Sequence, residues 1–423
     1  MSQMAGVRIL YVTVGLPFGP GETFIIPEIL EVQRRGVDVT VVPVRARTPV
    51  VHADAKRLLP FTIAESLISW PILAAAVLEA FTHGLRTIRA LRPILRSRNV
   101  HILFKNLSVF PKGLWLGRLA KRLGVRHIHA HWAGTSATMA FVASEVAKVP
   151  WSFTAHRWDI DENNIVREKG STAKFVRAID VQGGNELAVH LDAHRDKLRV
   201  IHMGVPLPSQ GKHLPSPRPP GPLRLVLGAM FVQKKGHVYA IEAVRRLSER
   251  GIDVELDLAG ATPAEGRSVL ESTRQLVDSW GLGSQIRFLG VLGHDELLKG
   301  FSDRRWDVAL LPSIVDSNGE KEGIPVFLIE AMAAGMPVVA TTTGGIPELV
   351  TPDSGELVEQ KNPEALAGAI ARLARDQSRR AELGRNASRR VRESFEITSV
   401  VNLLLAEMGV AWPQARDRGT SSP

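Results

Sequence analysis

The stretch from Leu311 to Val350 carries the residues best suited to chemistry. It reads LPSIVDSNGEKEGIPVFLIEAMAAGMPVVATTTGGIPELV, which predicts a strand, a polar loop and then a helix from Pro325. Glu322 precedes that helix, and Glu330 lies inside it. Eight helical residues rise about 12 Å, too far for the ~5 Å carboxylate pair of a retaining glycoside hydrolase. The spacing instead suits two contacts on a long ligand, one at each end of a diphosphate.

The same stretch offers backbone N–H groups for an anion. Gly323 and Ile324 stand beside Pro325 at the predicted helix start, where exposed N–H groups and the helix dipole favour negative charge. After the next predicted strand, Gly344 and Gly345 precede a second helix with an early proline, IPELV. Glycine at such a position lets a ligand approach the backbone closely. We therefore expect these five residues to bind an anionic ligand.

Two further side chains follow predicted strands. Lys235, in the segment QKKG, comes after the first strand of the second half and can place a positive charge on a diphosphate. Its neighbour Lys234 is expected to be an ordinary solvated lysine. His156 ends the predicted strand WSFTAH. The carboxyl ends of parallel strands form the edge where α/β sheets bind ligands, so His156 is a candidate functional residue.

Three histidines alternate along another predicted strand. Alternation places His127, His129 and His131 on one face of it. Three side chains on one extended strand lie too far apart to share a zinc ion with good geometry. We expect core or hydrogen-bonded histidines here and no metal site.

Two similar halves must position these residues. Each half opens with a buried-looking strand, VRILYVTVG or LRLVLGA, and β-branched runs then alternate with helical patterns. The alternation predicts an α/β fold of two Rossmann-like domains facing each other across a cleft. The predicted boundaries are an N-terminal domain over 1–205, a proline-rich linker over 206–222, a C-terminal domain over 223–395, a helix over 396–411 that packs back on the N-terminal domain, and a disordered tail over 412–423.

Composition restricts the class of protein. The 423 residues include no cysteine, which excludes disulfides and thiolate metal sites and favours a cytoplasmic location. The N-terminal segment is typical of a first strand rather than a signal peptide. The longest apolar stretch, 66–78, contains Pro71 and is shorter than the ~20 residues of a spanning helix. We expect a buried or interfacial helix there and no membrane span.

The net charge of +10 is concentrated in one acid-free segment. No Asp or Glu lies between Glu79 and Glu145, whereas eleven Lys and Arg residues do. Beside an apolar helix, such a block favours an anionic membrane surface as partner, on the inner face of the cell membrane. A solvated basic face is the plain alternative. Nucleic acid is disfavoured, because the aromatic residues of the segment form no stacking cluster.

The stretch from Leu311 to Val350 resembles the signature of the retaining glycosyltransferases of family 4, whose fold of two Rossmann-like domains is called GT-B. It is similar in particular to exopolysaccharide enzymes such as the colanic-acid glycosyltransferases. The resemblance extends over nearly the whole chain. It includes GETFIIPEILEVQRRG in the first half, HIHAHWAG and FTAHRWDID in the middle, and QKKGHVYAIEAV at the start of the second half.

The resemblance implies a role for several residues. Glu322 would contact the sugar of a nucleotide diphosphate sugar, Glu330 the ribose hydroxyls, and His156 would lie beside the sugar. Lys235 and backbone N–H groups would bind the diphosphate. A hexose would move with retention of configuration, without metal or other cofactor, and the departing phosphate would help to deprotonate the acceptor.

The acceptor implied by the resemblance is a glycan or a lipid-linked sugar. It would bind on the N-terminal side, at residues Gly19, Gly21, Glu22 and Thr23. One departure concerns the diphosphate site, because Met230 stands where the family has an arginine, five residues before Lys235. We expect Arg157, rather than Lys234, to supply the missing charge.

Two other functions remain open at this point. The departure at Met230 leaves room for a nucleotide-sugar-binding partner protein with weak or no catalysis. The excess of basic over acidic residues is the only feature that suggests a nucleic-acid-binding protein. Such a protein would bind duplexes in a salt-dependent manner and would not bind nucleotide sugars.

Overall fold

A computed structural model describes residues 6–19, 21–46, 49–50, 53–208 and 221–410. The chain divides into two units. Unit 1 comprises Met1–Ile179, Gly183–Ile201 and Thr398–Pro423, and unit 2 comprises Asp180–Gln182 and His202–Ile397. Most of the predicted linker, at 209–220, and the predicted tail, at 412–423, lie outside the described residues.

Unit 1 contains a six-stranded sheet and the helices that cover it. The strands are β1 (Arg8–Thr13), β2 (Asp38–Pro43), β3 (Val125–His131), β4 (Trp151–Ala155), β5 (Phe175–Ala178) and β6 (Leu198–Val200). The helices are α1 (Ile26–Arg34), α2 (Ala53–Lys56), α3 (Trp70–Thr82), α4 (Gly84–Ile94), α5 (Val100–Arg122), α6 (Thr135–Ala147), α7 (Arg157–Glu162), α8 (Val166–Thr172) and α9 (Val181–Leu191). The strand order is β2-β1-β3-β4-β5-β6, and every pair is parallel.

Unit 2 contains a second six-stranded sheet. Its strands are β7 (Leu223–Gly228), β8 (Val254–Ala259), β9 (Ile286–Gly290), β10 (Val308–Leu311), β11 (Val338–Thr341) and β12 (Gly355–Val358). The remaining helices are α10 (His237–Glu249), α11 (Arg267–Ser279), α12 (His294–Ser302), α13 (Val326–Ala333), α14 (Ile346–Leu349), α15 (Pro363–Arg375), α16 (Gln377–Ser394) and α17 (Ile397–Met408). The parallel order β12-β11-β10-β7-β8-β9 is that of a Rossmann fold.

Local sequence explains several of these elements. The central strands are almost entirely buried, as expected for parallel sheets covered on both faces. Asn362 caps α15, because its side chain accepts a hydrogen bond from Ala365 N at 2.9 Å. The predicted helix at Pro325 begins one residue later, with Pro325 as its N-cap. Among the described residues, no helix combines the length and apolarity needed to cross a bilayer.

Candidate functional site

In the unit 2 sheet, β8 and β9 lie on one side of β7, and β10, β11 and β12 lie on the other side. The point between β7 and β10, where the strand order reverses, is the switch point of the sheet. The loops after these strands lie side by side at the carboxyl edge, where open α/β sheets bind ligands. They contact each other through backbone: Ile314 N donates to Lys234 O at 2.8 Å. Gly236 has a φ of +70°, and a Cβ there would lie 1.9 Å from Pro312 O. Only glycine therefore permits this close approach.

The two loops bring Lys235 and Glu322 together. Lys235 Nζ donates to Glu322 Oε2 at 2.8 Å, and both side chains are largely buried. The other carboxylate oxygen, Glu322 Oε1, is buried and has no hydrogen-bond partner among the described residues. A buried acceptor without a donor costs free energy, so this oxygen is suited to a ligand hydroxyl. Lys234 points elsewhere, because its Nζ lies 3.0 Å from the exposed Glu320 Oε2.

The predicted anion-binding glycines play a backbone role at the same place. Gly344 has a φ of +56°, and a Cβ there would lie 1.9 Å from Glu322 O. Gly345 N donates to Glu322 O at 3.3 Å, and Ile346 N donates to Thr343 O at 3.1 Å. These two N–H groups, at the N-cap and the first residue of the short helix α14, are thus used within the protein. Gly344 and Gly345 fix the loop that carries Glu322.

The loop just before α13 offers N–H groups that are not used among the described residues. Within the described part of the chain, the Gly323 and Ile324 N–H groups have no hydrogen-bond acceptor. One turn further, Glu330 Oε1 lies 2.7 Å from Nε2 of His294, the first residue of α12. His294 is not among the predicted site residues, because nothing local in the segment GHDE distinguishes it from a helix-capping segment.

Unit 1 has its own switch point, between β1 and β3, and Glu22 lies in the loop after β1. Its carboxylate accepts hydrogen bonds from the backbone N–H groups of Val14, Gly15 and Leu16, at 2.9, 2.6 and 2.8 Å. The carboxylate also accepts a hydrogen bond, at 2.9 Å, from Nε1 of Trp132, the residue that follows β3. Glu22 therefore positions both loops and has its hydrogen bonds within unit 1.

The other predicted acceptor-side residues flank Glu22. Gly19 N donates to Pro49 O at 3.0 Å. A Cβ on Gly21 would meet no atom within 4 Å, so this position borders open space. Thr23 begins a short 3-10 helix, Thr23–Ile25. Gly19, Gly21 and Thr23 thus all lie in the segment between β1 and α1.

His156 follows β4 directly and is the N-cap of α7. The ring is buried against Phe24 and Trp132, with centroids 5.3 and 4.3 Å away. Burial, with smaller effects from His131 and Arg177, holds the pKa of His156 well below its usual value, so the imidazole is neutral near pH 7. Its Nε2 atom has no hydrogen-bond partner among the described residues. A neutral ring with an unused nitrogen can bind a hydroxyl group.

Arg157, predicted to bind the donor, has an acidic partner in its own unit. Arg157 Nη2 donates to Glu186 Oε2 at 2.6 Å, while Nε and Nη1 are buried and have no partner within the described residues. Met230, which replaces the expected arginine, is half exposed in the loop after β7. An arginine at position 230 would therefore displace no core side chain.

A buried polar network lies beneath His156. Glu28 Oε2 accepts from Arg177 Nη1 at 2.6 Å, and Glu28 Oε1 lies 3.0 Å from His131 Nε2. Burial alone would raise the pKa of Glu28, but Arg177 and His131 hold it well below its usual value. Both ring nitrogens of His129 contact hydroxyl groups, on Ser152 and Thr154. The histidines of β3 are thus buried and hydrogen-bonded, as expected.

The potential ligand atoms of Glu28, His129 and His131 lie within 4.8 Å of one another. Each carboxylate oxygen of Glu28 already has a partner, and the Arg177 guanidinium would repel a cation. The cluster is therefore better explained as a core hydrogen-bond network than as a metal site.

Residues 215–390 match the family described as Glycosyl transferases group 1. A protein of Escherichia coli K12 named as a colanic acid biosynthesis glycosyltransferase, WcaL, is 36% identical over 216 residues, 51% of each chain. The amylovoran biosynthesis glycosyltransferase AmsK of Erwinia amylovora is 35% identical over 158 residues, 37% of each chain. The chain thus spans about half the length of WcaL and less of AmsK. Over these parts it is homologous to group 1 glycosyltransferases.

A solved structure extends the likeness to the whole fold. Anabaena HepE in complex with UDP has a TM-score of 0.69 at 16% identity, covering 95% of this chain and 100% of that one. In complex with UDP-glucose, the same protein has a TM-score of 0.68 at 16% identity, covering 95% and 99%. This likeness confirms the predicted fold class, α/β with two Rossmann-like domains of the GT-B type.

Proposed function

We propose that the chain is a retaining glycosyltransferase of the family 4 type. It moves a hexose from a nucleotide diphosphate sugar to a glycan or lipid-linked acceptor, in exopolysaccharide biosynthesis. The main support for this proposal is the Lys235–Glu322 pair, which lies at the switch point of the unit that matches group 1 glycosyl transferases. The relatives named for colanic acid and amylovoran biosynthesis support the pathway, and the UDP and UDP-glucose complexes of HepE support the donor class.

We assign donor binding to groups that can still form a hydrogen bond or an ion pair with a ligand. The Gly323 and Ile324 N–H groups bind the diphosphate, and Lys235 places its charge on the same group. Glu330 Oε2, unlike Oε1, has no partner among the described residues and accepts a ribose hydroxyl. Glu322 Oε1 accepts a hydroxyl of the sugar. His156 is proposed as a further contact of the donor sugar.

The proposed reaction breaks the bond between the anomeric carbon and the β-phosphate oxygen. The acceptor oxygen bonds to the same face of that carbon, and its proton moves to the departing phosphate oxygen. Negative charge grows on the diphosphate as the bond opens, so Lys235 and the N–H groups act most strongly in the transition state. These groups replace the charge that a metal ion would otherwise supply, and we propose a metal-independent reaction. A cytoplasmic site of action is part of the same proposal.

A panel of nucleotide sugars tests this proposal. We expect one donor to raise the melting temperature of the purified chain, and to be hydrolysed slowly or transferred to a lipid-linked glycan in the presence of EDTA. Activity that is lost in EDTA and restored by magnesium or manganese would overturn metal independence. Tight binding without turnover of any donor would identify a nucleotide-sugar-binding partner protein instead.

A further inference from the structure

The solvent face of α3 is apolar. Trp70, Leu73, Val77 and Phe81 follow one another at helical spacing on this face, and Trp70 and Phe81 are 80% and 86% exposed. A helix that packs on a protein core normally buries such a stripe. Scattered apolar residues are common on protein surfaces, but a continuous stripe indicates an interaction site.

The inward face of α3 carries a charge. Glu79 is fully buried, and its Oε2 accepts a hydrogen bond from Arg118 Nη1 at 3.1 Å. A buried carboxylate costs free energy unless it is paired. α3 therefore turns its acidic residue inward and its largest apolar side chains outward, which is the reverse of an ordinary amphipathic helix.

Neighbouring helices extend this surface. Leu85 and Ile88 on α4, and Phe104 on α5, are also exposed. α3 packs against α5, and α4 contacts both of them. We call the exposed side chains of Trp70, Phe81, Leu85, Ile88 and Phe104 the α3–α5 surface.

Arginines border the apolar side chains. Arg89, Arg92 and Arg96 are exposed on α4 and just after it, following Leu85 and Ile88 at helical spacing. Within the described residues, none of the three guanidinium groups has an ion-pair or hydrogen-bond partner. In unit 2, by contrast, Arg246 and Arg250 both pair with Glu364. The α4 arginines are therefore available to an external anion.

We infer that the α3–α5 surface inserts into the headgroup region of an anionic membrane leaflet. The apolar side chains reach the acyl boundary, and the arginines bind lipid phosphates. A helix of 13 residues is about 20 Å long, so α3 lies in the interface and does not span the bilayer. This inference does not depend on transferase activity. If the proposed function also holds, the surface keeps the chain where a lipid-linked acceptor is found.

Charge complementarity selects a membrane over a second copy of the chain. The segment between Glu79 and Glu145 has no acidic residue. A two-fold contact through the α3–α5 surface would bring the α4 arginines of both copies together without any acidic partner from this segment. Like charges at such short range repel. An anionic leaflet supplies the opposite charge.

Cosedimentation with vesicles tests the electrostatic part. At low salt, the chain is expected to bind phosphatidylcholine vesicles that contain phosphatidylglycerol and to bind pure phosphatidylcholine weakly. Each interfacial basic residue contributes roughly a fivefold factor to partitioning, so Arg89→Gln with Arg92→Gln should weaken binding about 30-fold. The matched control, Arg375→Gln with Arg385→Gln, removes two exposed arginines of unit 2 and should change little. Equal binding to both kinds of vesicle would overturn the inference.

Two further variants test insertion. Trp70→Ser with Phe81→Ser should abolish vesicle binding while keeping the thermal unfolding of the parent, because both side chains are exposed. Val291→Ser, at an exposed apolar position of unit 2, is the control. Brominated lipids should quench tryptophan fluorescence in the parent, and Trp70→Phe should remove most of that quenching. If the serine pair instead converts a dimer to a monomer and vesicle binding persists, the surface is a self-association site and the inference is wrong.

Discussion

At the scale of single residues, Glu322 and Lys235 depend on each other. Lys235 stabilises a carboxylate that is almost completely buried, and Glu322 holds the lysine at the carboxyl edge of the sheet. In the proposed reaction, a diphosphate would share the ammonium group of Lys235. Pre-positioned charge of this kind needs little reorganisation during reaction.

Lys235 and Lys234 form a natural pair of test and control. Lys235→Ala removes a charged hydrogen bond that typically contributes ~1.5–3 kcal/mol, so kcat should fall roughly 10- to 100-fold. Lys234→Ala removes only an exposed ion pair with Glu320 and should change kcat less than about twofold. Steady-state kinetics with the best donor would decide, and an equal loss in both variants would remove Lys235 from the site.

The replacement at Met230 gives a second prediction. Met230→Arg should raise kcat only modestly, because we propose that Arg157 already supplies the missing charge. Arg157→Ala should lower kcat about tenfold or more. Glu186→Gln serves as the control, since it removes the negative charge beside Arg157 and keeps both the Arg157 cation and a hydrogen-bond acceptor. If Glu186→Gln causes the same loss as Arg157→Ala, or if Met230→Arg gives a large gain, Arg157 does not supply that charge.

At the scale of elements, β3 carries buried histidines that make unit 1 sensitive to acid. Burial, with a smaller effect from Lys174, lowers the pKa of His127 to about 3, whereas an unfolded histidine titrates near 6.5. Between these values the unfolded chain binds a proton that the folded chain does not. The contribution to stability is therefore complete above pH ~6.5 and falls by about 1.4 kcal/mol per pH unit below it.

His127→Gln tests this dependence. Glutamine does not titrate and can keep a hydrogen bond to Ser152, which His127 contacts at 2.8 Å. Between pH ~6 and ~4, the free energy of unfolding in urea should therefore decline less steeply in the variant than in the parent. The difference in slope should correspond to about one proton. An unchanged slope would show that His127 is protonated in the folded state.

At the scale of the whole molecule, the last described helix, α17, belongs mainly to unit 1. Val401, Leu404 and Leu405 are fully buried, and Arg35 Nη2 donates to Thr398 O at 3.1 Å. Arg199 pairs with Glu407 at 3.0 Å. Unit 1 therefore includes a helix that follows the whole of unit 2 in the chain.

Truncation tests the role of α17. A chain ending at Ile397 loses six buried apolar side chains. Three of them, Val401, Leu404 and Leu405, are fully buried, and each of these three contributes ~1.5–3 kcal/mol. The stability of unit 1 should fall by on the order of 5 kcal/mol, and its calorimetric transition should shift down by more than about 10 °C. A chain ending at Val410 keeps α17 and serves as the control. Equal transitions in the two chains would mean that unit 1 folds without this helix.

Features that depend on local pattern could be predicted from the amino-acid sequence. Alternating strand and helix periods predicted two parallel α/β units, because burial on both faces requires continuous apolar strands. The same pattern placed Lys235 and His156 just after strands and Glu322 just before a helix. It also predicted a helix in the apolar stretch 66–78, where the structure has α3 over Trp70–Thr82. These properties depend on neighbours within one or two turns of chain.

Contacts between residues far apart in the chain could not be predicted and were revealed by the folded structure. It paired Lys235 with Glu322 across 87 positions, and it placed the Glu322 carbonyl against Gly344, where a side chain would collide. His294 became a partner of Glu330 through the packing of two helices. The hydrogen bonds of Glu22 are fixed by two loops that converge at the sheet edge. Such contacts follow from strand order, which sets which loops are adjacent and which no local spacing encodes.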